Sequence, residues 1–320
     1  MSKNKQSPQS IEQLVSIAFP NDKMISFKEL TEGLCNAAYL IELGSGIKTV
    51  LKISSADNSS FLRNEKDMSE TEAAALKYME GLGIVMVPKV YYYDFSRTVC
   101  SGKYIFMKAL DGDSFSSVSY SMGEEERNDI YFGLGKIVSK LSSVKGKFFG
   151  SFVNSGLQYD SLYDLVFAMF TNLFDDIEDK HLDHGVDRTE IFEKLTEDKD
   201  IFSDVAQPSL IHNDIWEGNI FIKHSRIIGV IDWERTMWGD PLMEEYFRSH
   251  RYVKAFYEGF GRSELNANEK RRVYWYDLFL CLTMLTEPFY RDYEDKECFN
   301  DWLIPNLKEA CSALALEYHK

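Results

Sequence analysis

The stretch LIHNDIWEGNIFIKHSRIIGVIDWE (residues 210–234) sets polar residues between apolar runs, an arrangement that is costly unless those residues are used. His212-Asn213-Asp214 is followed by Asn219, five residues beyond Asp214, in the pattern H-x-D-x-x-x-x-N. An aspartate so placed accepts the proton of an attacking hydroxyl and aligns it. An asparagine carbonyl is a hard oxygen ligand suited to Mg²⁺. Asp232 ends IIGVID, 18 residues after Asp214, where a carboxylate supplies a second metal contact. Base, amide and carboxylate at this spacing are the parts of a phosphoryl-transfer loop. Asp214 and Asn219 would alternatively only cap a turn, as such residues often do.

The first hundred residues offer an independent check. Phosphoryl transfer from a nucleotide needs a strand lysine for the phosphates and a helix glutamate to orient it. Lys52 lies in TVLKIS between Leu51 and Ile53, which fits that lysine and equally a strand lysine that snorkels to solvent. Glu72 shares a helical face with Ala75, Leu76 and Met79, at +3, +4 and +7, and a carboxylate on an apolar face needs a cation. Glu65, one heptad earlier, is the rival. TEGLCNAAY (residues 31–39) occupies the place of a nucleotide flap but holds only Gly33, and no G-x-x-x-x-G-K-[ST] loop is present.

The elements that must position these residues follow from patterning. NAAYLIELGSG (residues 36–46) and IKTVLKIS (residues 47–54) read as a hairpin, and NEKDMSETEAAALKYMEGLG as a helix ending at Gly81 and Gly83. PKVYYYDF and KYIFMKAL read as two further strands. Beyond about residue 112, GEEERNDIYFGLGKIVSKLSSV, YDSLYDLVFAMFTNLFDDIED and NEKRRVYWYDLFLCLTMLTEPFY carry helical spacing, interrupted by short strands SLIH, NIFIK and IIGVID. The expected class is α+β: a small antiparallel β-rich lobe over residues 1–107, a crossing at 108–112, and a larger, mainly helical lobe over 113–320. The polar residues 1–10 are expected to be disordered.

At 320 residues with 44% hydrophobic content the chain can fill two cores. Five cysteines without C-x-x-C spacing fit reduced thiols, with neither disulfides nor a zinc site. His181 and His184 in KHLDH lack a third ligand nearby and read as a solvated loop. A net charge of −15 disfavours nucleic acid and acidic membrane as partners; it would attract a cationic small molecule or, equally, serve solubility alone. No signal or membrane-spanning pattern is present, so a soluble, cytoplasmic protein is expected.

Taken together, NAAYLIE, VLKIS, the helix with Glu72, YIFMKALDG, LIHNDIWEGNIFI, GVIDWE and WGDPLMEEYF resemble the aminoglycoside phosphotransferase and choline kinase superfamily, small-molecule kinases of protein-kinase-like bilobal fold. The likeness covers nearly the whole chain; WGDPLMEEYF is more like the aminoglycoside phosphotransferase branch, while HNDIWEGNI is close to the choline kinase form of the same loop. The resemblance implies ATP or GTP as co-substrate with Mg²⁺, Asp214 as catalytic base, and Asn219 and Asp232 as metal ligands. It further implies Lys52 on phosphate, Glu72 paired with Lys52, and backbone groups of Lys108 and Leu110 at the adenine edge. Asp232 departs from the protein-kinase pattern in being followed by Trp-Glu rather than Phe-Gly. Only six residues separate Asp232 from Gly239-Asp240-Pro241, leaving no room for an activation loop, so a small hydroxyl compound is expected rather than a polypeptide. An aminoglycoside-like cation suits the net charge; choline, ethanolamine or an amino sugar is the alternative, and a nucleotide-binding pseudokinase is the alternative of another class. The acidic stretch NLFDDIEDKHLDHGVD (residues 172–187) would form an acidic rim at the acceptor or, equally, a solvated helix end, and Glu234, Glu287 and Asp292 are candidates to face the cleft.

Overall fold

The computed structural model describes residues 4–31, 36–84, 86–291 and 293–320. Gly33 of the flap and Asp292 therefore lie outside the described residues.

The chain opens with helix α1 (Pro8–Ala18), so residues 8–10, expected to be disordered, form its first turn. Ser7 caps it by accepting from the Ser10 N–H, and Pro8 stands at the first helical position, a start signal present in the sequence. Ile11, Leu14 and Val15 cover one face of the first sheet. That sheet contains β1 (Met24–Leu30), β2 (Ala37–Leu43), β3 (Lys48–Ile53), β4 (Val90–Asp94) and β5 (Tyr104–Lys108), all antiparallel in the order β1-β2-β3-β5-β4. The β2–β3 hairpin turns at Gly46, whose φ of 85° is one that glycine supplies without strain.

Period-2 alternation in β3 sends Thr49, Leu51 and Ile53 into the core and leaves Lys52 on the opposite face. Over that face lies α2 (Met68–Leu82), ended by Gly83 in the left-handed conformation. Helical spacing extends N-terminally to residue 64, but Arg63–Glu65 form a separate 3₁₀ turn and Asp67, at φ 64°, breaks the path. Glu65 and Glu72 consequently belong to different elements.

The second lobe enters through β6 (Asp113–Ser114) and α3 (Phe115–Val118), followed by α4 (Glu124–Ser143), β7 (Phe149–Ser151), β8 (Gln158–Tyr159) and α5 (Leu162–Asp179). Helices α6 (Arg188–Glu197) and α7 (Lys199–Phe202) precede β9 (Ser209–Ile211), β10 (Ile220–Lys223), β11 (Arg226–Val230) and β12 (Met237–Gly239). Helices α8 (Lys254–Phe260), α9 (Ala267–Tyr290) and α10 (Asn300–Leu314) complete the lobe. The strands form two small sheets, β11-β10-β6 and β8-β7-β12-β9. The antiparallel first sheet and the mainly helical remainder make the expected α+β architecture.

Two apolar clusters hold these parts. One lies between α1 and the outer face of the first sheet; the other runs through the helical lobe and also takes in Ala75, Leu76 and Met79 of α2 with Ile105 and Met107 of β5. Apolar packing thus crosses the division expected at residue 107. The described cysteines are free thiols. His184 is not solvated but packs with Nε2 3.1 Å from Thr286 Oγ1 of α9.

Candidate active site

Lys52 is where the two lobes meet chemically. Its ammonium lies 2.9 Å from Glu72 Oε2 and 2.8 Å from Glu234 Oε2, and it hydrogen-bonds Asp232 Oδ1. The snorkelling alternative is therefore not what the chain does. Glu65, the rival to Glu72, is held instead by Arg291 and, at 2.9 Å, by Arg235. The helix face separates the candidates: Glu72 projects from α2 with its apolar neighbours toward β3, whereas Glu65 precedes the break at Asp67.

Burial pushes the Glu72 carboxyl up to about 7; Lys52 pulls against that, and the charges of Asp232 and Glu234 add to it. Burial acts on Asp232 in the same direction, but the Lys52 charge and hydrogen bond outweigh it and hold Asp232 below the usual carboxylate range. Ligand oxygens of Glu72, Asp232 and Glu234 all lie within 4.8 Å of one another. Three carboxylates against one ammonium leave an excess of negative charge in a largely buried spot. A divalent cation matches that excess and those hard oxygen donors.

The loop between β9 and β10 holds the second group. The Asn219 amide donates to the Asp214 backbone carbonyl at 2.9 Å and to Asp214 Oδ2 at 3.1 Å, which orients the Asp214 carboxylate and leaves the amide oxygen for a cation. The β10–β11 ladder continues as Ile231 N–H donates to the Asn219 carbonyl at 2.9 Å, fixing Asp232 beside Asn219. Asp232 (φ 67°) and Asn213 (φ 63°) both adopt left-handed backbone, unusual for residues other than glycine and common where a site dictates geometry. Burial pushes the Asp214 carboxyl up to about 8, with Arg235 opposing and Asp232 and Glu234 adding, so its basicity approaches that suited to taking a hydroxyl proton near neutrality.

His212 does no proton chemistry. It is buried beneath the loop, its Nε2 bonds the Ile231 carbonyl at 2.9 Å, and burial lowers it to about 4, so the ring is neutral with the proton on Nε2. The ring packs edge-on to Trp233 at 4.5 Å, tying the loop that carries Asp214 to the residue after Asp232.

Three residues not assigned a position from sequence complete the frame. Glu244, fully buried, accepts from the His212 N–H at 2.7 Å and the Asn213 N–H at 3.2 Å. Its signal was the pair Glu244-Glu245 set between Met243 and Tyr246-Phe247, which are buried. Arg235 bridges Glu65 and Glu287, each at 2.9 Å, and Asn36 donates to Glu234 at 3.0 Å. Glu234, a candidate to face the cleft, is thus drawn to Lys52, and Glu287 is shared by two arginines.

Lys108 ends β5 with its N–H given to the Lys89 carbonyl at 2.8 Å. Leu110, in the crossing, packs on Gly229 so closely that a Cβ there would stand 2.7 Å from Leu110 Cδ1.

A family model described as "Phosphotransferase enzyme family" (APH) matches residues 26–276. Among curated proteins no sequence matches the chain. Solved structures are similar over nearly the full length. The streptomycin–ATP ternary complex of APH(2'')-IIa is 15% identical, covers 96% of this chain and 97% of its own, and has a TM-score of 0.62. A thermostable mutant of aminoglycoside phosphotransferase APH(4)-Ia with ADP and hygromycin B is 19% identical, with coverage of 96% and 97% and a TM-score of 0.61. The GDP complex of aminoglycoside 2'-phosphotransferase-IIIa is 17% identical, with coverage of 97% and 99% and a TM-score of 0.62. At such identities the likeness is one of fold.

Proposed function

The chain belongs to the phosphotransferase enzyme family, and on that premise we propose that it moves the γ-phosphate of ATP or GTP, with Mg²⁺, to a hydroxyl of a small molecule. The observation that supports this reading best is the meeting of Lys52, from the first lobe, with Asp232, from the second, beside the bonded pair Asp214–Asn219.

Lys52, steadied by Glu72, binds the α- and β-phosphates. The Lys108 carbonyl and the Leu110 N–H meet the adenine edge, since the Lys108 N–H is already engaged. Asn219 and Asp232 would hold Mg²⁺, which supplies neutralisation of the phosphate charge. Asp214 orients the acceptor hydroxyl and takes its proton as the new O–P bond forms and the bond from the γ-phosphorus to the bridging oxygen breaks, releasing the nucleoside diphosphate. The chain's own contribution is positioning and a preformed charge pattern. A polypeptide acceptor is disfavoured because residues 233–239 fold at once into a 3₁₀ turn and β12, leaving no long loop to dock one. Among the described residues no helix is long and apolar enough to cross a membrane, and a supply of Mg²⁺–ATP suits the cytoplasm.

The test is transfer from γ-labelled ATP and GTP with Mg²⁺ to a panel of hydroxyl compounds including aminoglycosides, choline, ethanolamine and sugars. A labelled product that disappears in Asp214→Ala supports the reading. Tight Mg²⁺-dependent nucleotide binding with no transfer to any acceptor or to water would identify instead a nucleotide-binding protein without the reaction.

A further inference from the structure

The loop that starts at Asp214 ends in a 3₁₀ turn, Glu217–Asn219, in which the Asn219 N–H donates to the Trp216 carbonyl at 3.0 Å. One such bond returns less than the ordering of the turn costs. Yet the turn delivers Asn219, whose amide oxygen must be held in place to serve as a ligand. Beyond Asn219 the β10–β11 ladder fixes the chain. On the near side that task falls to Glu217.

Glu217 Oε1 accepts from the Tyr131 hydroxyl of α4 at 3.0 Å and from Arg251 Nη2. Both donors are themselves fixed. The Tyr131 ring packs edge-on to Phe115 of α3 and to Tyr246, with centroids 5.3 and 5.7 Å away. The Arg251 guanidinium lies over the Tyr246 ring, 4.2 Å from its centroid, and its Nη1 stands 3.3 Å from Glu245 Oε1. The side chains of Glu217 and Arg251 are only 17% and 22% exposed, unlike a solvated surface pair of little worth. Glu245 follows Glu244, which accepts from the His212 and Asn213 N–H groups. The stretch 244–251 therefore grips the loop at both ends, at Asn213 through Glu244 and at Glu217 through Arg251.

Resting on the phosphotransferase reading, in which Asn219 holds Mg²⁺, we infer that Glu217 is a positioning residue for the metal site. With Tyr131 and Arg251 it fixes the turn so that the Asn219 amide oxygen meets the cation. Both donors converge on one oxygen, so the device depends chiefly on where that oxygen sits and less on the charge it carries.

The experiment titrates Mn²⁺, a paramagnetic stand-in for Mg²⁺, into the full chain saturated with a non-hydrolysable ATP analogue. Bound metal is read by electron paramagnetic resonance, and each variant is melted without metal in parallel. Glu217→Ala and Glu217→Asp withdraw the oxygen and should raise the Kd for Mn²⁺ about ten-fold. Glu217→Gln keeps an oxygen at the same reach and should stay within about three-fold of the unmodified protein. Tyr131→Phe should raise the Kd about three-fold on its own and change nothing further in Glu217→Ala, because the hydroxyl acts through Glu217. Mn²⁺ affinity unchanged in Glu217→Ala and Glu217→Asp, with only the melting temperature lowered, overturns the inference. So does a loss in Glu217→Gln as large as in Glu217→Ala, the mark of a long-range charge effect. If Glu217→Ala does not fold, Glu217→Asp and Tyr131→Phe decide by the same criteria. Asn219→Ala keeps the two claims apart. Weaker Mn²⁺ binding there, with none in the Glu217 variants, removes the positioning role alone; Mn²⁺ affinity unchanged in Asn219→Ala removes the metal assignment and the inference with it.

Discussion

Replacing Glu244 with Gln tests whether the loop carrying Asp214 is held from below. Glu244 offers one oxygen to His212 N–H at 2.7 Å and the other to Asn213 N–H at 3.2 Å. Glutamine keeps one oxygen, which should stay with the shorter contact, and sets an NH₂ donor against the Asn213 N–H. The loss is one charge-assisted hydrogen bond, about 1.5–3 kcal/mol, plus a stranded donor that is only part-buried, about 1 kcal/mol. Against this, the neutral amide avoids burying a carboxylate that burial has already pushed up to about 7. The net cost to stability is about 1–2 kcal/mol, which leaves the protein folded. The cost to turnover is larger, because Asn213 stands at φ 63° immediately before Asp214 and relaxes once its N–H is released. A displacement of about 1 Å in a catalytic group costs about a hundred-fold in rate. Glu244→Gln should lower kcat about a hundred-fold and shift the KM for ATP less than about three-fold, since Lys52 and Glu72 are untouched. Steady-state transfer from labelled ATP, with thermal melting in parallel, measures both. A kcat within about three-fold of the unmodified protein, or ATP affinity falling in step with kcat, refutes the reasoning.

Lys52→Met leaves Glu72, Asp232 and Glu234 without their shared cation; the folded state should lose about 3 kcal/mol, and ATP binding should weaken by at least about ten-fold, read by melting and by titration with nucleotide. His184 is held down to about 4, chiefly by burial with Lys320 adding and Asp183 opposing, so the unfolded chain takes up its proton first as pH falls. Its contribution is present above about pH 6.5 and lost as pH falls through about 4, and His184→Gln should spare the protein up to about 3 kcal/mol of that acid loss, measured as the difference in denaturant unfolding across the window. A Cβ at Gly135 of α4 would stand 2.1 Å from the Phe256 carbonyl oxygen and 2.7 Å from the Phe260 nitrogen of α8, so Gly135→Ala should cost about 3 kcal/mol in unfolding measurements with little change in nucleotide affinity.

The parts of this molecule that a linear sequence exposes are those whose cause is local. The Asp214-to-Asn219 spacing, the alternation around Lys52 and the helical face of Glu72 each depend on neighbours within a few residues, and the structure brings all three groups to one cleft. Helix α1 carried a local signal as well, Ser7 before Pro8, but polarity of the first ten residues pointed the other way; three buried apolar side chains against the sheet outweigh it. Long-range pairing is a different matter. Arg63 meets Asp176 across 113 positions and Arg291 meets Glu65 across 226, so nothing near either carboxylate in the sequence shows which arginine holds it. Glu244 lay between these cases, since two adjacent glutamates between apolar residues suggest that one is buried without saying which or what it binds.

The most direct test of the central claim is single-turnover phosphate transfer in Asp214→Asn, with Mg²⁺–ATP affinity measured on the same protein. Asparagine preserves size and the hydrogen-bonding position beside Asn219 while removing the proton acceptor. Transfer should fall by about a thousand-fold with nucleotide affinity essentially unchanged. Transfer at a substantial fraction of the unmodified rate would contradict the assignment of Asp214 as the base.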